Sequence, residues 1–232
     1  MRRLLVFLCS IIIISCSTFQ PDSLGQNEIK IQVQTSSGVV SSDSRSSESM
    51  VIEWQDIPFA QPPVGDLRWR APRPLDSPNR IISSKEDTAC VQKASVYAGA
   101  TGEGIVGAED CLYLDITAPT DFRDNAYPVM FWIHGGGNTS GLKDYYDYSK
   151  LVSTRDVVVV RTNYRLGALG WFSHPSIQGR QEGIDKAANF GTLDIIESLK
   201  WVQANISAFG GDPGNVTIFG ESAGGHNVFA LL

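Results

Sequence analysis

Histidine and cysteine are scarce in this sequence, with 3 and 4 copies among 232 residues, and no Cys/His grouping has the spacing of a zinc site. A zinc site therefore has no support. Blocks of like charge are missing too, and a formal net charge of −6 offers no basic surface for nucleic acid. The apolar stretch Leu4 to Ile14 spans only 11 residues, is interrupted by Cys9 and Ser10, and is too short to cross a bilayer. There is no internal repeat. What remains, 42% hydrophobic and 19% charged residues, is a globular composition with length for one large core or two small ones.

Met1-Arg2-Arg3 ahead of that apolar stretch predicts a secretory signal over residues 1–15. Ile13-Ile14-Ser15-Cys16 is similar to the lipobox of bacterial lipoproteins, which makes Cys16 the expected lipid carrier and an exported, membrane-anchored protein the expected product; an ordinary signal with a chance cysteine is the alternative. Membrane contact is expected only through that anchor. A polar linker, residues 16–28, follows. With Cys9 lost in the leader and Cys16 lipidated, Cys90 and Cys111 are left in an oxidising compartment, and a disulfide is the simplest account of them. It would contribute about 3 kcal/mol by restricting the unfolded chain. Two separately buried thiols are the alternative.

Glu28 to Thr35 alternates polar residues with Ile29, Ile31 and Val33, which predicts a half-buried strand. Ser36 to Ser49 holds eight serines and reads as a turn or solvated loop. A strand pattern resumes over Met50 to Trp54, ahead of the proline-rich stretch Ile57 to Gly65, whose prolines forbid a central strand. Residues 83–110 read mostly as loop, and Leu112 to Thr117 as a strand. Pro128 to His134 and Asp156 to Thr162 are near-continuous apolar runs, as in parallel strands buried on both faces. Lys143 to Thr154 can form a helix between them. Leu193, Ile196, Leu199, Val202 and Ile206 predict one apolar helical face. Asn215 to Phe219 is a third strand, and a helix starts after Ser222. This alternation predicts an α/β fold with a mostly parallel central sheet. Val228 to Leu232 carries no helix stop signal, so the chain is expected to be cut in mid-element.

Two loops at the carboxyl ends of these strands carry chemistry. Gly220-Glu221-Ser222-Ala223-Gly224 matches the G-x-S-x-G elbow, a sharp strand-to-helix turn that holds a serine in a strained conformation at a helix N-terminus. His134-Gly135-Gly136-Gly137 follows another buried strand, and its bare backbone can bring N–H groups close to a substrate carbonyl. Together with the N–H of Ala223 these donors would stabilise a tetrahedral oxyanion. Flexible punctuation for the glycines and an inert helix cap for Ser222 are the bland readings.

The stretches IPFAQPPVGDLRW, EDCLYLDI, PVMFWIHGGG, VVVVRTNYRLGALGWF and LKWVQANISAFGGDPGNVTIFGESAGG stand in order along the chain. On them, the chain resembles the type B carboxylesterases, the family that includes the cholinesterases, from about Ile29 to its end. The resemblance implies that residues 29–232 form the N-terminal half of an α/β-hydrolase fold, with no cofactor and a small-molecule ester as substrate. It implies Ser222 as the nucleophile of a Ser-acid-His triad and the backbones of Gly136, Gly137 and Ala223 as oxyanion donors. The family's first disulfide falls on Cys90 and Cys111, and its structural ion pairs on Arg68 with Glu109 and Arg165 with Asp194. Three positions depart from the pattern. Asn138 replaces an aromatic after HGGG, Trp54-Gln55-Asp56 replaces phenylalanine and glycine, and Ile195 replaces a glutamine.

None of the three histidines suits the role of base. His134 leads the glycine loop and is expected to shape it, His174 reads as a surface residue, and His226 rides a helix that packs on the sheet. The resemblance puts the triad histidine and acid in a later half absent from these residues. A non-catalytic adhesion or binding protein on the same fold, or an inactive truncated product, are the competing readings. Sequons at Asn138, Asn205 and Asn215 are expected to be chance matches, because Asn138 lies in the glycine loop and Asn215 opens a buried strand.

Overall fold

The computed structural model describes residues 30–42, 50–85 and 88–232. The expected leader, Cys16 and the polar linker lie outside the described residues. No helix among those described is long and apolar enough to cross a membrane.

The first elements are β1 (Gln32–Thr35) and β2 (Gly38–Ser41), an antiparallel pair. The serine-rich stretch thus supplies a strand where a loop was expected. Thr35 donates its hydroxyl to the Gly38 carbonyl at 2.7 Å to close the turn, and Gly38 takes φ +142°, where any Cβ would overlap the Arg80 carbonyl. β3 (Val51–Pro58) runs through the first proline, and β4 (Ile81–Ile82) pairs with β2. Residues 83–110, expected to be mostly loop, contain a second antiparallel pair, β5 (Gln92–Ser95) and β6 (Ala100–Val106). Most of β6 is exposed, so it has no apolar alternation to betray it.

The remaining elements are β7 (Tyr113–Pro119), β8 (Tyr127–Ile133), α1 (Ser149–Arg155), β9 (Val158–Thr162), α2 (Gly167–Gly170), α3 (Pro175–Gln178), α4 (Phe190–Asn205), β10 (Gly211–Gly220) and α5 (Ala223–Ala230). The central sheet has the order β10-β8-β9-β7-β3. β10, β8 and β9 are parallel, whereas β7 and β3 add antiparallel pairings. The parallel half, joined by helical crossovers, is therefore the half that carries the two chemical loops. β7 and β9 are buried along their whole length, and each large apolar side chain removed from water there contributes about 1.5–3 kcal/mol. Asn215 corrects the expectation of a buried strand opening: it is exposed, within a stretch of β10 where the register with β8 shifts between Gly211 and Val216.

The buried side of α4 coincides with the predicted one only toward the helix end, where Val202 and Ile206 are fully buried. Leu193, Ile196 and Leu199 are only half-buried, while Asp194, Ile195, Ser198, Trp201, Val202 and Asn205 are buried. Polar groups occupy that side because each finds a partner: Asp194 pairs with Arg165, Ser198 with the Thr162 hydroxyl at 2.9 Å, and Asn205 with Ser36. Trp54, the first residue of the departure from the family pattern, also belongs to the core. It is fully buried, meets Phe122 and Phe209 edge to face at 5.1 and 5.0 Å, and donates its indole N–H to the Ile31 carbonyl.

Candidate active site

β8 and β10 are parallel neighbours, with Ile133 opposite Gly220. Their next residues, His134–Gly137 and Glu221–Gly224, therefore leave the sheet side by side at its carboxyl edge. Ser222 has φ 54° and ψ −118°, a conformation that costs a non-glycine residue about 1–3 kcal/mol. The flanking glycines make the turn possible. A Cβ on Gly220 would lie 2.5 Å from the Gly224 carbonyl carbon, and one on Gly224 would overlap the Ile133 carbonyl oxygen. The two loops also touch: a Cβ on Gly135 would stand 2.7 Å from the Glu221 carbonyl oxygen and 3.2 Å from the Ser222 Cβ.

The glycine loop turns through three successive residues of positive φ, Gly136 at 91°, Gly137 at 64° and Asn138 at 58°. The amides of Thr139 and Ser140 both donate to the Gly136 carbonyl, at 3.1 and 3.0 Å. Among the described residues no acceptor meets the backbone N–H of Gly136, Gly137 or Ala223. Ser222, Gly136 and Gly137 are all exposed. A free hydroxyl and three amide donors without acceptors thus stand on two loops in contact, and these are the group types that acyl transfer uses. A cavity of about 220 Å³ adjoins the two loops, bounded by His134, Gly136, Glu221, Tyr97, Leu142 and Tyr145.

The carboxylesterase family model matches residues 29–232 of this chain. The chain belongs to the carboxylesterase family. Its relatives there include fumonisin B1 esterase of Sphingopyxis macrogoltabida, 39% identical over 222 residues that make up 93% of this chain and 39% of that protein. Para-nitrobenzyl esterase of Bacillus subtilis (strain 168) is 42% identical over 189 residues, 80% of this chain and 37% of that protein. Among solved structures, a thermophilic PNB esterase superposes with a TM-score of 0.74 at 40% identity, over 86% of this chain and 40% of that one. The fold is thus part of an α/β-hydrolase fold, and the chain spans about two fifths of the length of these relatives.

In this carboxylesterase-family chain the glycine loop is clamped at both ends. His134 stacks on Tyr164 with ring centroids 4.3 Å apart, and the Tyr164 hydroxyl donates to the His134 carbonyl at 2.7 Å. At the far end the buried Gln92 side chain accepts from the Gly141 amide at 2.8 Å and donates to its carbonyl at 2.9 Å. Gln92 also donates to the main-chain carbonyl of Cys90, which is disulfide-bonded to Cys111, at 3.0 Å. Beyond the clamp lies a buried charge cluster without a sequence signature. Lys143, 1% exposed, places Nζ 2.9 Å from both Asp56 and Asp115 and 3.0 Å from Asp144, while Arg161 pairs with Glu53 and approaches Asp115 at 3.4 Å. Burial works against the Lys143 charge, but Asp115, Asp144 and Asp56 outweigh it and hold the ammonium protonated. A cavity of about 450 Å³, roomier than the one beside Glu221, lies against this cluster and not against Ser222.

The histidines occupy three unrelated places. His174 caps α3, its Nδ1 accepting from the Ser176 amide at 3.2 Å. His226 is exposed, and its only tie to Ser222 is a backbone hydrogen bond at 3.1 Å. His134 directs Nδ1 at the Gly135 carbonyl, 2.9 Å away, and its buried Nε2 has no partner among the described residues. Burial lowers the His134 pKa from 6.5 to about 4. Between those values the unfolded chain takes up a proton that the folded chain refuses, so stability falls as pH drops through this window and levels off below it. About 3 kcal/mol is at stake. His134→Gln should flatten the plot of urea midpoint against pH between 6.5 and 4; an unchanged slope would refute the assignment.

The two family ion pairs differ in kind. Arg68 meets Glu109 through two hydrogen bonds of 2.5 and 2.6 Å at an exposed site, where such a pair adds little. Arg165 and Asp194 are buried, with bonds of 2.8 and 2.7 Å and a third from the Arg165 amide at 3.0 Å. Two of the three sequon asparagines, Asn138 and Asn205, have their side-chain amides in internal hydrogen bonds.

Proposed function

We propose that this protein is a serine carboxylic-ester hydrolase working through an acyl-enzyme, with Ser222 as nucleophile and the amides of Gly136, Gly137 and Ala223 as oxyanion donors. The observation that carries this reading is the positive φ of Ser222 at a strand-to-helix corner against which the glycine loop is packed. Ser222 Oγ attacks the ester carbonyl carbon while its proton passes to a histidine. The carbonyl electrons move onto oxygen, which the three amides stabilise. Collapse breaks the bond to the alcohol, which leaves with that proton, and water then releases the acid by the same route.

The histidine and its acid are proposed to come from residues beyond these 232, since no described histidine bonds the Ser222 side chain. Further walls from the same source fit the cavity beside Glu221, whose volume of about 220 Å³ is below the roughly 300–1,000 Å³ of ordinary ligand pockets. Export with a lipid anchor on Cys16 is part of the proposal, and the Cys90–Cys111 disulfide fits an oxidising compartment. The test is treatment of the full gene product with a fluorophosphonate followed by peptide mass analysis. The expected adduct sits on Ser222 and disappears in Ser222→Ala. An adduct elsewhere, or none, rejects the nucleophile.

A further inference from the structure

We propose that the side-chain amides of Asn138 and Asn227 form a strut that fixes the glycine loop to the helix carrying Ser222, making both asparagines positioning residues for the oxyanion. Asn227 lies on α5, five residues after Ser222, and is 4% exposed. Its Nδ2 donates to Asn138 Oδ1 at 3.0 Å, joining positions 89 apart in sequence. Among the described residues this is the only side-chain hydrogen bond between residues 135–141 and α5.

Asn138 suits the position in two respects. It follows Gly137 directly and takes φ 58°, which asparagine tolerates better than other non-glycine residues. Both of its carbonyl groups are then engaged by different elements. The main-chain oxygen accepts from the Gly167 amide at 2.7 Å, and Oδ1 accepts from Asn227 and lies 3.2 Å from the Tyr164 hydroxyl. Tyr164 spends its own proton on the His134 carbonyl. The loop is thereby tied to α2, to Tyr164 and to α5 at the residue next to its proposed donors. Oxyanion donors act only within about 2.7–3.1 Å of the developing charge, and misplacement by about 1 Å costs about a hundredfold in rate. A link that prevents such drift contributes to turnover more than to substrate binding.

The inference rests on the reading of Ser222 as nucleophile, and a double-mutant cycle in the full gene product separates the two. With p-nitrophenyl acetate as substrate, Asn138→Gly and Asn227→Ala should each lower kcat about tenfold and leave KM within about twofold, and the double variant should be no worse than either alone. The rate of fluorophosphonate inactivation should fall in parallel, since the phosphoryl oxygen uses the same donors. A purely structural role would instead move the thermal midpoint with little change in kcat. Unchanged kcat in the single variants, or a double variant near a hundredfold, overturns the strut while Ser222→Ala remains inactive; activity surviving in Ser222→Ala overturns the underlying reading instead. If Asn227→Ala fails to fold, Asn138→Gly decides alone, because glycine accepts the positive φ without strain and kcat either falls tenfold or does not.

Discussion

Ser222→Ala in the full gene product is expected to lower kcat for a simple ester by about a millionfold, leaving only the residual acceleration of binding and the oxyanion donors. The same position makes a second demand on the protein, because its φ of 54° with ψ −118° is maintained by the surrounding elbow against steric cost. Alanine keeps the Cβ and so keeps that cost, and its stability should match the wild type. Glycine removes the Cβ. Relief of about 1–3 kcal/mol of strain, less the extra freedom of glycine in the unfolded chain, should leave Ser222→Gly about 1 kcal/mol more stable than Ser222→Ala although both are inactive. Urea denaturation of the two variants checks this. Equal stability would mean that the turn imposes no strain on a side chain.

Asp194→Ala should be the most damaging single change to the fold described here, with a loss of about 3–5 kcal/mol, because Arg165 would stay buried without its counter-charge. Arg165 is 3% exposed, donates two side-chain bonds and its own main-chain N–H to the Asp194 carboxylate, and already has Nη1 without a partner among the described residues. Against a typical total of about 5–15 kcal/mol, such a loss brings the protein close to unfolding at ordinary temperature. The penalty comes from the stranded charge more than from the lost attraction. Arg165→Met combined with Asp194→Leu should therefore recover most of it, and guanidinium titrations of single and double variants would show this. A double variant as unstable as Asp194→Ala would mean that the pair itself, by fixing the turn after β9 on α4, is what the fold requires.

The parts of this structure that were legible in the sequence are those whose chemistry is local. A serine can enter a tight strand-to-helix corner only between glycines, so Gly220 and Gly224 announce the corner wherever a β-branched strand precedes them. The buried runs Phe131 to Ile133 of β8 and Val158 to Val160 of β9 are apolar, as strands covered on both faces require. Features that depend on partners distant in sequence left no such mark. The apolar repeat at Leu193, Ile196, Leu199, Val202 and Ile206 pointed to one face of α4, and Val202 and Ile206 are buried, but Asp194, Ser198 and Asn205 are buried where Leu193, Ile196 and Leu199 are not, their cost offset by Arg165, Thr162 and Ser36. Lys143 opens the stretch that reads as a helix up to Thr154; Asp56 of β3 and Asp115 of β7 draw it into the interior beside its neighbour Asp144. Asn138 registered only as a departure from the family pattern, and its tie to Asn227 becomes visible once β8 and β10 are side by side.

A crystal structure of the full gene product after reaction with a fluorophosphonate measures the central geometry directly. The phosphorus should be bonded to Ser222 Oγ, with the phosphonyl oxygen about 2.7–3.1 Å from the amide nitrogens of Gly136, Gly137 and Ala223. An adduct whose oxygen is turned away from these three amides, or met by other donors, would contradict the account.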